Sequence, residues 1–336
     1  MKIKIGIAFL LCSFVTNAQN LNDLLVAGLN DAERFANSYL APVTEAGIYS
    51  VSNGWYNSAD AKPLGGFEIS LVGNITGFKN KNDKKTFILN TADYENLTFD
   101  DGSASRQVST ALGDIDGIIV NVNATIEGQV VSEQFELPKG IGDDISFVPT
   151  GYIQGSVGLI KGLEVKARFL PKIDTDDVQI GLFGAGLQYD FTKMLPADKL
   201  LPVAISAVIG YTNLNGEYDF TETGAIAGEN QRIDANITTW NFSAVVSTRK
   251  IPVINFYGGL GYIVGKSETD LLGRYEVATV SGVPIVYNDP FSITNDVSGV
   301  TANVGTKIKL GFFRINVDYN IAEFSTLTAG ISFGFR

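Results

Sequence analysis

Histidine is absent from this chain of 336 residues, and cysteine occurs once, at Cys12 near the N-terminus. A Ser-His-Asp triad and the usual zinc sites are therefore impossible, and no disulfide can form within the chain. Paired carboxylates remain open as a catalytic device, but no particular pair stands out in the sequence. We therefore expect that the chain is not an enzyme and that it holds neither a cofactor nor a metal.

Long hydrophobic runs are also missing. Although 45% of the residues are hydrophobic, no segment after residue 18 has 18 consecutive apolar residues. The sequence therefore predicts no transmembrane helix. The apolar residues are instead spread by alternation with polar ones.

The first 18 residues have the pattern of a secretory signal. Lys2 and Lys4 precede a short apolar run, and residues 16–18 form a small-residue cleavage site. Cleavage there would lower the basic count from 25 to 23 against 36 acidic residues, a net charge of −13. Nucleic acid needs a basic surface, so this acidic composition predicts no nucleic-acid partner.

The last strand shows the alternation most clearly. From Ser325 to Arg336, apolar side chains occupy every second position and small or polar residues fill the others. Because this pattern recurs along most of the chain, it predicts an all-β protein, a transmembrane antiparallel β-barrel in the Gram-negative outer membrane. The closing Phe-Gly-Phe resembles the C-terminal signal of such barrels, although Arg336 follows it. A soluble β-sandwich is the alternative.

We predict about twelve strands, which is an even number, as bacterial barrels require. The strands are expected at 64–78, 85–99, 115–127, 147–160, 163–171, 178–191, 202–213, 235–247, 253–266, 297–310, 312–321 and 324–336. A further hairpin within 270–290 would make fourteen. Long connections are expected at 128–146, 214–234 and 267–296.

Side-chain parity predicts the register of two hairpins. If apolar residues face the same side, Leu159 pairs with Leu163 around a three-residue loop that ends at Gly162. On the same argument, Leu310 pairs with Phe313 around a two-residue loop that begins at Gly311. Glycine suits both positions because it adopts positive φ without strain.

One amphipathic helix is predicted over 21–41, and Pro42 is expected to end it. Its apolar stripe includes Leu24, Leu25, Leu29, Phe35 and Tyr39. We expect this helix to pack against the barrel interior or its periplasmic mouth. The predicted organisation is a signal peptide at 1–18, a helix and plug or linker segment at 19–62, and a barrel at 63–336.

Charged residues alternate with apolar ones in three strands and should therefore face the lumen, since a charge facing lipid is costly. They are Glu164, Lys166, Arg168, Lys307, Lys309, Arg314 and Asp318. They form either a charge lattice that braces the barrel or a selectivity lining. Lys309 and Arg314 should be cross-strand neighbours and need an acidic partner, which the sequence does not identify. The helix offers Asp23, Asp31 and Glu33 as one source.

Aromatic residues near the strand ends suggest girdles at the membrane interfaces. Trp55 and Tyr56 are expected there, together with aromatic residues of the strands. The latter are Tyr189, Phe191, Tyr211 and Tyr262.

Three segments carry a family resemblance: the predicted helix, the run from Asn53-Gly54-Trp55-Tyr56 to Leu64-Gly65-Gly66-Phe67, and the run from Ser156 to Pro171. They resemble an uncharacterised family of Gram-negative outer-membrane proteins with a domain of unknown function. The layout of a helix before a barrel is distantly similar to the long-chain fatty-acid transporter group.

These resemblances imply a channel or transporter with an N-terminal plug, in contact with outer-membrane lipid and passing small, possibly apolar, solutes. The alternative is a structural or interaction barrel whose external loops bind a partner and which conducts nothing. The sequence leaves the oligomeric state open.

Overall fold

The computed structural model describes residues 24–78, 80–126, 129–142, 145–175, 178–196, 200–219, 227–277 and 284–335. After a short helical turn at 24–26, the described chain contains one long helix, α1 (Leu29–Ser52), followed by sixteen strands. The strands are β1 (Phe67–Gly77), β2 (Thr86–Asn90), β3 (Leu97–Phe99), β4 (Ser105–Ser109), β5 (Ile119–Ile126), β6 (Gln129–Glu136), β7 (Phe147–Ile160), β8 (Leu163–Asp174), β9 (Val178–Asp190), β10 (Val203–Asp219), β11 (Ala227–Thr248), β12 (Ile254–Val277), β13 (Ile285–Asn288), β14 (Phe291–Leu310), β15 (Phe313–Ile321) and β16 (Thr326–Phe335). The predicted signal peptide and the first three residues of the predicted helix lie outside the described residues.

Ten of the described strands close into an antiparallel barrel. Their order is β1-β7-β8-β9-β10-β11-β12-β14-β15-β16, and β16 pairs back onto β1. Closure leaves no free edge in the ring, which satisfies the backbone hydrogen bonds of every wall strand. The predicted all-β fold with an antiparallel barrel and an N-terminal helix is confirmed.

The apolar side chains of the ring face outward. One row of outward residues runs around much of the barrel, and its members pair across adjacent strands. They are Ile254, Ile308, Ile315, Ile331, Leu71, Ile153, Phe169 and Phe183, all at least 36% exposed. Residues one step along each strand point inward and are mostly polar and buried. This arrangement is the reverse of that in a soluble protein, because the polar side chains lie around the barrel axis and the apolar ones lie on the outer surface.

The predicted count of twelve strands is wrong for the described ring. The strands found in the segments 85–99 and 115–127 are β2, β3 and β5. Together with β4 and β6 they form two small sheets, β2-β4 and β3-β5-β6, within the connection between β1 and β7. Their strands have three to eight residues, fewer than the ~9–11 that cross a bilayer. We call residues 78–146 the insertion.

The predicted loops 214–234 and 267–296 are largely strand. β10, β11, β12 and β14 have 17, 22, 24 and 20 residues, so their pairing continues well beyond a membrane thickness. The expected extra hairpin in 270–290 is present only as β13, which pairs with the end of β12 and adds no strand to the ring.

The Leu310–Phe313 register is confirmed, whereas the predicted pairing of Leu159 with Leu163 is wrong, although the rest of that hairpin keeps the predicted parity. Val157 lies opposite Val165, as the proposed register requires, and Leu310 lies opposite Phe313. Gly162 and Gly311 have φ of 86° and 68°. The first loop is one residue tighter than expected, because Ile160 pairs with Leu163 and the register shifts between Gly158 and Ile160.

The helix boundaries differ from the prediction at both ends. Gly28, with φ of 97°, breaks the helical turn of residues 24–26 from α1, and the side-chain amide of Asn96 donates to the Ala27 carbonyl at 2.8 Å. α1 then passes through Pro42 and ends at Ser52. A proline in a helix interior costs about 3 kcal/mol, but nearly every residue after it in α1 is buried, and this packing offsets the loss.

In the described part of the chain, no helix is both long and apolar enough to cross a membrane.

Candidate functional site

The N-terminal segment runs through the barrel from one end to the other. The short turns β7–β8 and β14–β15 lie at one end of the ring, which we call the short-turn end; the insertion lies at the opposite, long-loop end. Leu24 to Tyr39 pack with the insertion at the long-loop end, whereas Lys62 contacts Glu164 near the short-turn end. Residues 43–62, which we call the lumen segment, contact the inner wall between these ends.

At the long-loop end, the first half of α1 and the insertion form a common core. Phe35 stacks on Tyr39 at 5.7 Å and lies 5.8 Å from Phe87 of β2, between ring centroids. The carboxylate of Asp31 accepts the backbone N–H groups of Glu95 and Asn96 at 2.9 and 2.8 Å. Phe35 and Tyr39 of the predicted stripe therefore contact the insertion, whereas residues 43–52 of the same helix lie inside the ring.

Lys84 of the insertion pairs with Glu45 of α1 at 2.8 Å. Burial alone would lower the pKa of Lys84, but the hydrogen bond and charge of Glu45 outweigh it and raise the pKa above its usual value. The pair ties the insertion to the point where α1 enters the ring.

In the half of the lumen nearer the long-loop end, which we call the upper lumen, the second half of α1 packs against small wall residues. Tyr49 passes over Gly299, and Ile48 over Gly265; a β-carbon at either glycine would approach them within 2.4 Å. The hydroxyl of Ser50 lies 3.0 Å from that of Thr150, and the amide of Asn74 donates to the Ser50 carbonyl at 2.9 Å. Close backbone approach and polar contacts together fix the helix in the ring.

Arg168 occupies the middle of the lumen, at the end of α1. Its guanidinium carbon lies 3.5 Å from the ring centroid of Trp55 and 4.3 Å from that of Tyr152. The group donates to the Val51 carbonyl at 2.9 Å and to Gln154 at 3.1 and 3.3 Å. In the described residues no carboxylate forms an ion pair with it, so the two aromatic faces and the carbonyl end of the helix stabilise its charge.

Trp55 and Tyr56 lie inside the lumen, so their predicted place in an interfacial girdle is wrong. Trp55 is 1% exposed and covers Gly186 and Gly210, where a β-carbon would come within 2.7 and 2.2 Å of its ring. The hydroxyl of Tyr56 would meet a β-carbon at Gly259 within 2.6 Å. Their apolar rings need a surface to cover, and the glycine backbone of the wall provides it.

Two buried carboxylates bind cationic side chains in the half of the lumen nearer the short-turn end, which we call the lower lumen. Glu68 accepts from Lys307 at 3.0 Å, from Arg314 at 2.6 Å and from Asn57 at 2.9 Å. Glu164 accepts from Lys62 at 2.9 Å and pairs with Lys166 at 2.8 Å. Each carboxylate thus joins the lumen segment to the wall.

The acidic partner of Arg314 is Glu68 and not a helix residue, so the suggested helix source is wrong. Asp31 accepts backbone N–H groups at the other end of the barrel, Glu33 is exposed there, and Asp23 lies outside the described residues. Arg314 reaches across β16 to β1 over Gly334, where a β-carbon would lie 1.8 Å from its guanidinium nitrogen.

The seven charged residues singled out from the sequence all belong to the ring, and six of them are buried or nearly so. Asp318 accepts from Tyr257 at 2.7 Å and from Asn303 at 2.8 Å. Lys309 is half-buried opposite Arg314. In the described residues, no three acidic, histidine or cysteine side chains are placed to hold a metal ion.

Sequence reasoning missed Glu68 and Trp55. Glu68 lies between the outward-facing Phe67 and Ile69 on β1, so parity alone assigns it to the lumen. Trp55 had no such signal, because its partners, Gly186 and Gly210, are distant in sequence.

The sequence profile of one protein family matches residues 1–335, nearly the whole chain. The chain belongs to the DUF6588 family, a family of unknown function. None of the curated proteins compared with it matches.

Among solved structures, this DUF6588 chain is similar to Ail, the attachment invasion locus protein of Yersinia pestis, with 10% identity over 81% of this chain and 100% of that one, at a TM-score of 0.28. It is also similar to the translocator domain of the autotransporter NalP from Neisseria meningitidis, with 12% identity over 90% and 98% of the two chains, at 0.29. The outer-membrane transporter YddB from Escherichia coli shares 12% identity over 81% and 41%, at 0.30.

Proposed function

We propose that this protein is an outer-membrane β-barrel that acts as a gated channel, closed at rest by its own lumen segment. The outward row of isoleucine, leucine and phenylalanine side chains supports insertion into lipid, since exposed apolar patches this continuous are rare on soluble proteins. Short periplasmic turns and long external loops are typical of such barrels. On that basis the short-turn end faces the periplasm.

The observation that carries the proposal is the polar contact between lumen segment and wall. An eight-stranded barrel is filled by its own side chains, and ten strands leave room for a further segment. Near the short-turn end, ion pairs of Lys62 with Glu164 and of Asp60 with Arg249 hold that segment at 2.9 and 3.0 Å. Its other contacts there include neutral hydrogen bonds, such as Gln188 to the Ser58 carbonyl at 2.9 Å and Ser58 to Ser247 at 3.2 Å. Water can replace such bonds, so displacement of the segment would leave a hydrated path.

The wall favours small polar solutes. Serine, threonine, asparagine and glutamine are common among its buried inward residues, and charged residues lie near the short-turn end. Apolar inward residues, such as Ile180, Leu182 and Leu214, lie nearer the long-loop end. The passage of apolar solutes, expected from the sequence, stays a prediction that this lining does not support. The expectation that the chain is not an enzyme also stays a prediction.

Crosslinking the lumen segment to the wall tests gating directly. Ser58→Cys with Ser247→Cys would join the segment to β11, where the two hydroxyl oxygens lie 3.2 Å apart. Ser70→Cys with Ser332→Cys is the matched control, because it joins two wall strands whose hydroxyl oxygens lie 2.8 Å apart and leaves the segment free. If Cys12 is removed together with the signal peptide, the two introduced cysteines are the only thiols of each variant.

In planar bilayers, the first pair should abolish conductance when oxidised and recover it on reduction. The control pair should conduct equally in both states. Absence of conductance from the unmodified protein under all voltages, or equal conductance of the locked and reduced first pair, contradicts gating by this segment.

The alternative, an interaction barrel that conducts nothing, is favoured by the folded cap of α1 and the insertion at the long-loop end, with its shared core around Phe35 and Phe87. A barrel that never conducts, yet is correctly folded and inserted, would support this second function.

A further inference from the structure

A cavity of about 200 Å³ opens beside the lumen segment at the short-turn end. Residues 57–63 form one side of it, and wall residues form the other. Its charged wall residues are Glu68, Glu164, Lys166, Lys307, Lys309 and Arg314.

The charge of this cavity opposes that of the whole protein. Five cationic side chains line it, including Lys62, against three carboxylates, including Asp60. The full chain has a formal net charge of −11. A basic recess in an acidic protein concentrates the field on anions near its mouth.

The three carboxylates are already engaged. Glu68 and Glu164 are each shared by two close cationic groups, and Asp60 pairs with Lys193 at 2.8 Å and Arg249 at 3.0 Å. Little acceptor capacity therefore remains for Lys309.

Lys309 is the cavity cation that contacts no carboxylate within the described residues, and Asp60 and Glu68 attract it only from a distance. No hydrogen bond or ion pair of its ammonium group occurs within the described residues, and the residue directly opposite it on β15 is Arg314, a like charge. Two like charges facing each other across strands repel. Glu68 lies 2.6 Å from Arg314 and offsets the repulsion there, but it makes no such contact with Lys309.

We propose that this cavity binds a small phosphate-type oxyanion, held by Lys309 and by the guanidinium donors of Arg314 other than the nitrogen that contacts Glu68. Lysine ammonium groups bind phosphate as point charges, and an arginine adds planar donors. The site goes beyond the proposed channel activity, because binding needs neither displacement of the lumen segment nor a membrane. In the proposed orientation it faces the periplasm.

Inorganic phosphate titrated into the refolded full chain in detergent, followed by calorimetry, tests the site. We expect saturable binding to one site that weakens with added sodium chloride. Lys309→Gln should weaken binding roughly tenfold, since it removes a close charge, whereas Lys309→Arg should retain it. Lys161→Gln is the matched control, because Lys161 is an exposed lysine in the β7–β8 turn at the same end, outside the cavity.

Lys309→Gln removes no hydrogen bond or ion pair of the described residues, and heat-dependent migration in SDS would verify that each variant is folded. The proposal is overturned if phosphate does not saturate, or if Lys309→Gln and Lys161→Gln weaken binding equally. Since the assay involves no conduction, a barrel that never opens would still bind phosphate, and a gated barrel without this site would still conduct.

Discussion

At the scale of single residues, side-chain direction in the wall has opposite consequences on the two faces. Val317 faces outward at the middle of β15, and its neighbour Asp318 faces inward and accepts from Tyr257. The same alternation that exposes an apolar side chain thus buries a carboxylate one residue later. The cost of a charged side chain therefore depends on the face of the strand that carries it and on its depth in the bilayer.

Val317→Lys should lower the free energy of unfolding by ~2–4 kcal/mol, because it places an ammonium group in the middle of the lipid-facing belt. Leu310→Lys, on the same face but beside the β14–β15 turn, should cost only ~0–1 kcal/mol. Denaturant unfolding in lipid vesicles measures both. Equal losses at the two positions would mean that this face does not contact a bilayer.

At the scale of elements, the lumen segment and the wall fit through glycines and aromatic rings. Gly186 on β9 and Gly210 on β10 allow Trp55 to lie on the backbone, and Trp55 in turn supports the guanidinium of Arg168. A side chain at either glycine would displace the ring and the cation above it. Packing of this element therefore depends on residues that have no side chain.

Gly210→Ala should destabilise the protein by ~1–3 kcal/mol, the usual cost of overpacking, and change the fluorescence of Trp55. Gly155→Ala is the control, because it also lies in a wall strand but a β-carbon there would meet nothing within 4 Å. Unfolding followed by tryptophan emission compares the two. If both variants lose the same stability, Trp55 does not rest on β10.

At the scale of the whole molecule, the direction of the N-terminal segment is the main topological result. Residues 24–39 lie at the long-loop end and residue 63 at the short-turn end, so the chain passes through the ring before β1 begins. In the proposed orientation, the first half of α1 is outside the cell and not at the periplasmic mouth. Assembly must then place this segment across the barrel.

Glu33→Cys, an exposed position of α1, should react with a membrane-impermeant maleimide on intact cells. Lys161→Cys, in the β7–β8 turn, should react only after the outer membrane is permeabilised. Labelling is quantified by gel shift, and the one native cysteine, Cys12, lies in the predicted signal peptide. The reverse pattern would invert the orientation, and labelling of both positions on intact cells would argue against a spanning barrel.

The local sequence pattern was sufficient to predict the outward and inward faces of the wall strands and the registers of two hairpins. Alternation determined which face of each strand is apolar, and parity with glycine in the turns determined the registers of Val157 with Val165 and of Leu310 with Phe313. These features depend on neighbours in sequence or on adjacent strands. They could therefore be predicted, as could the inward placement of the charged residues.

Only the tertiary structure decided what fills the ring and how many strands close it. The insertion strands alternate apolar and polar residues as the wall strands do. They do not join the ring, because their apolar residues, such as Phe87, pack on α1. Pro42 does not end α1, because the lumen buries the turns that follow. Residues far apart in the chain form the ion pair of Glu68 with Arg314 and the packing of Trp55 on the wall glycines. Such contacts exist only once the ring has closed around its own N-terminal segment.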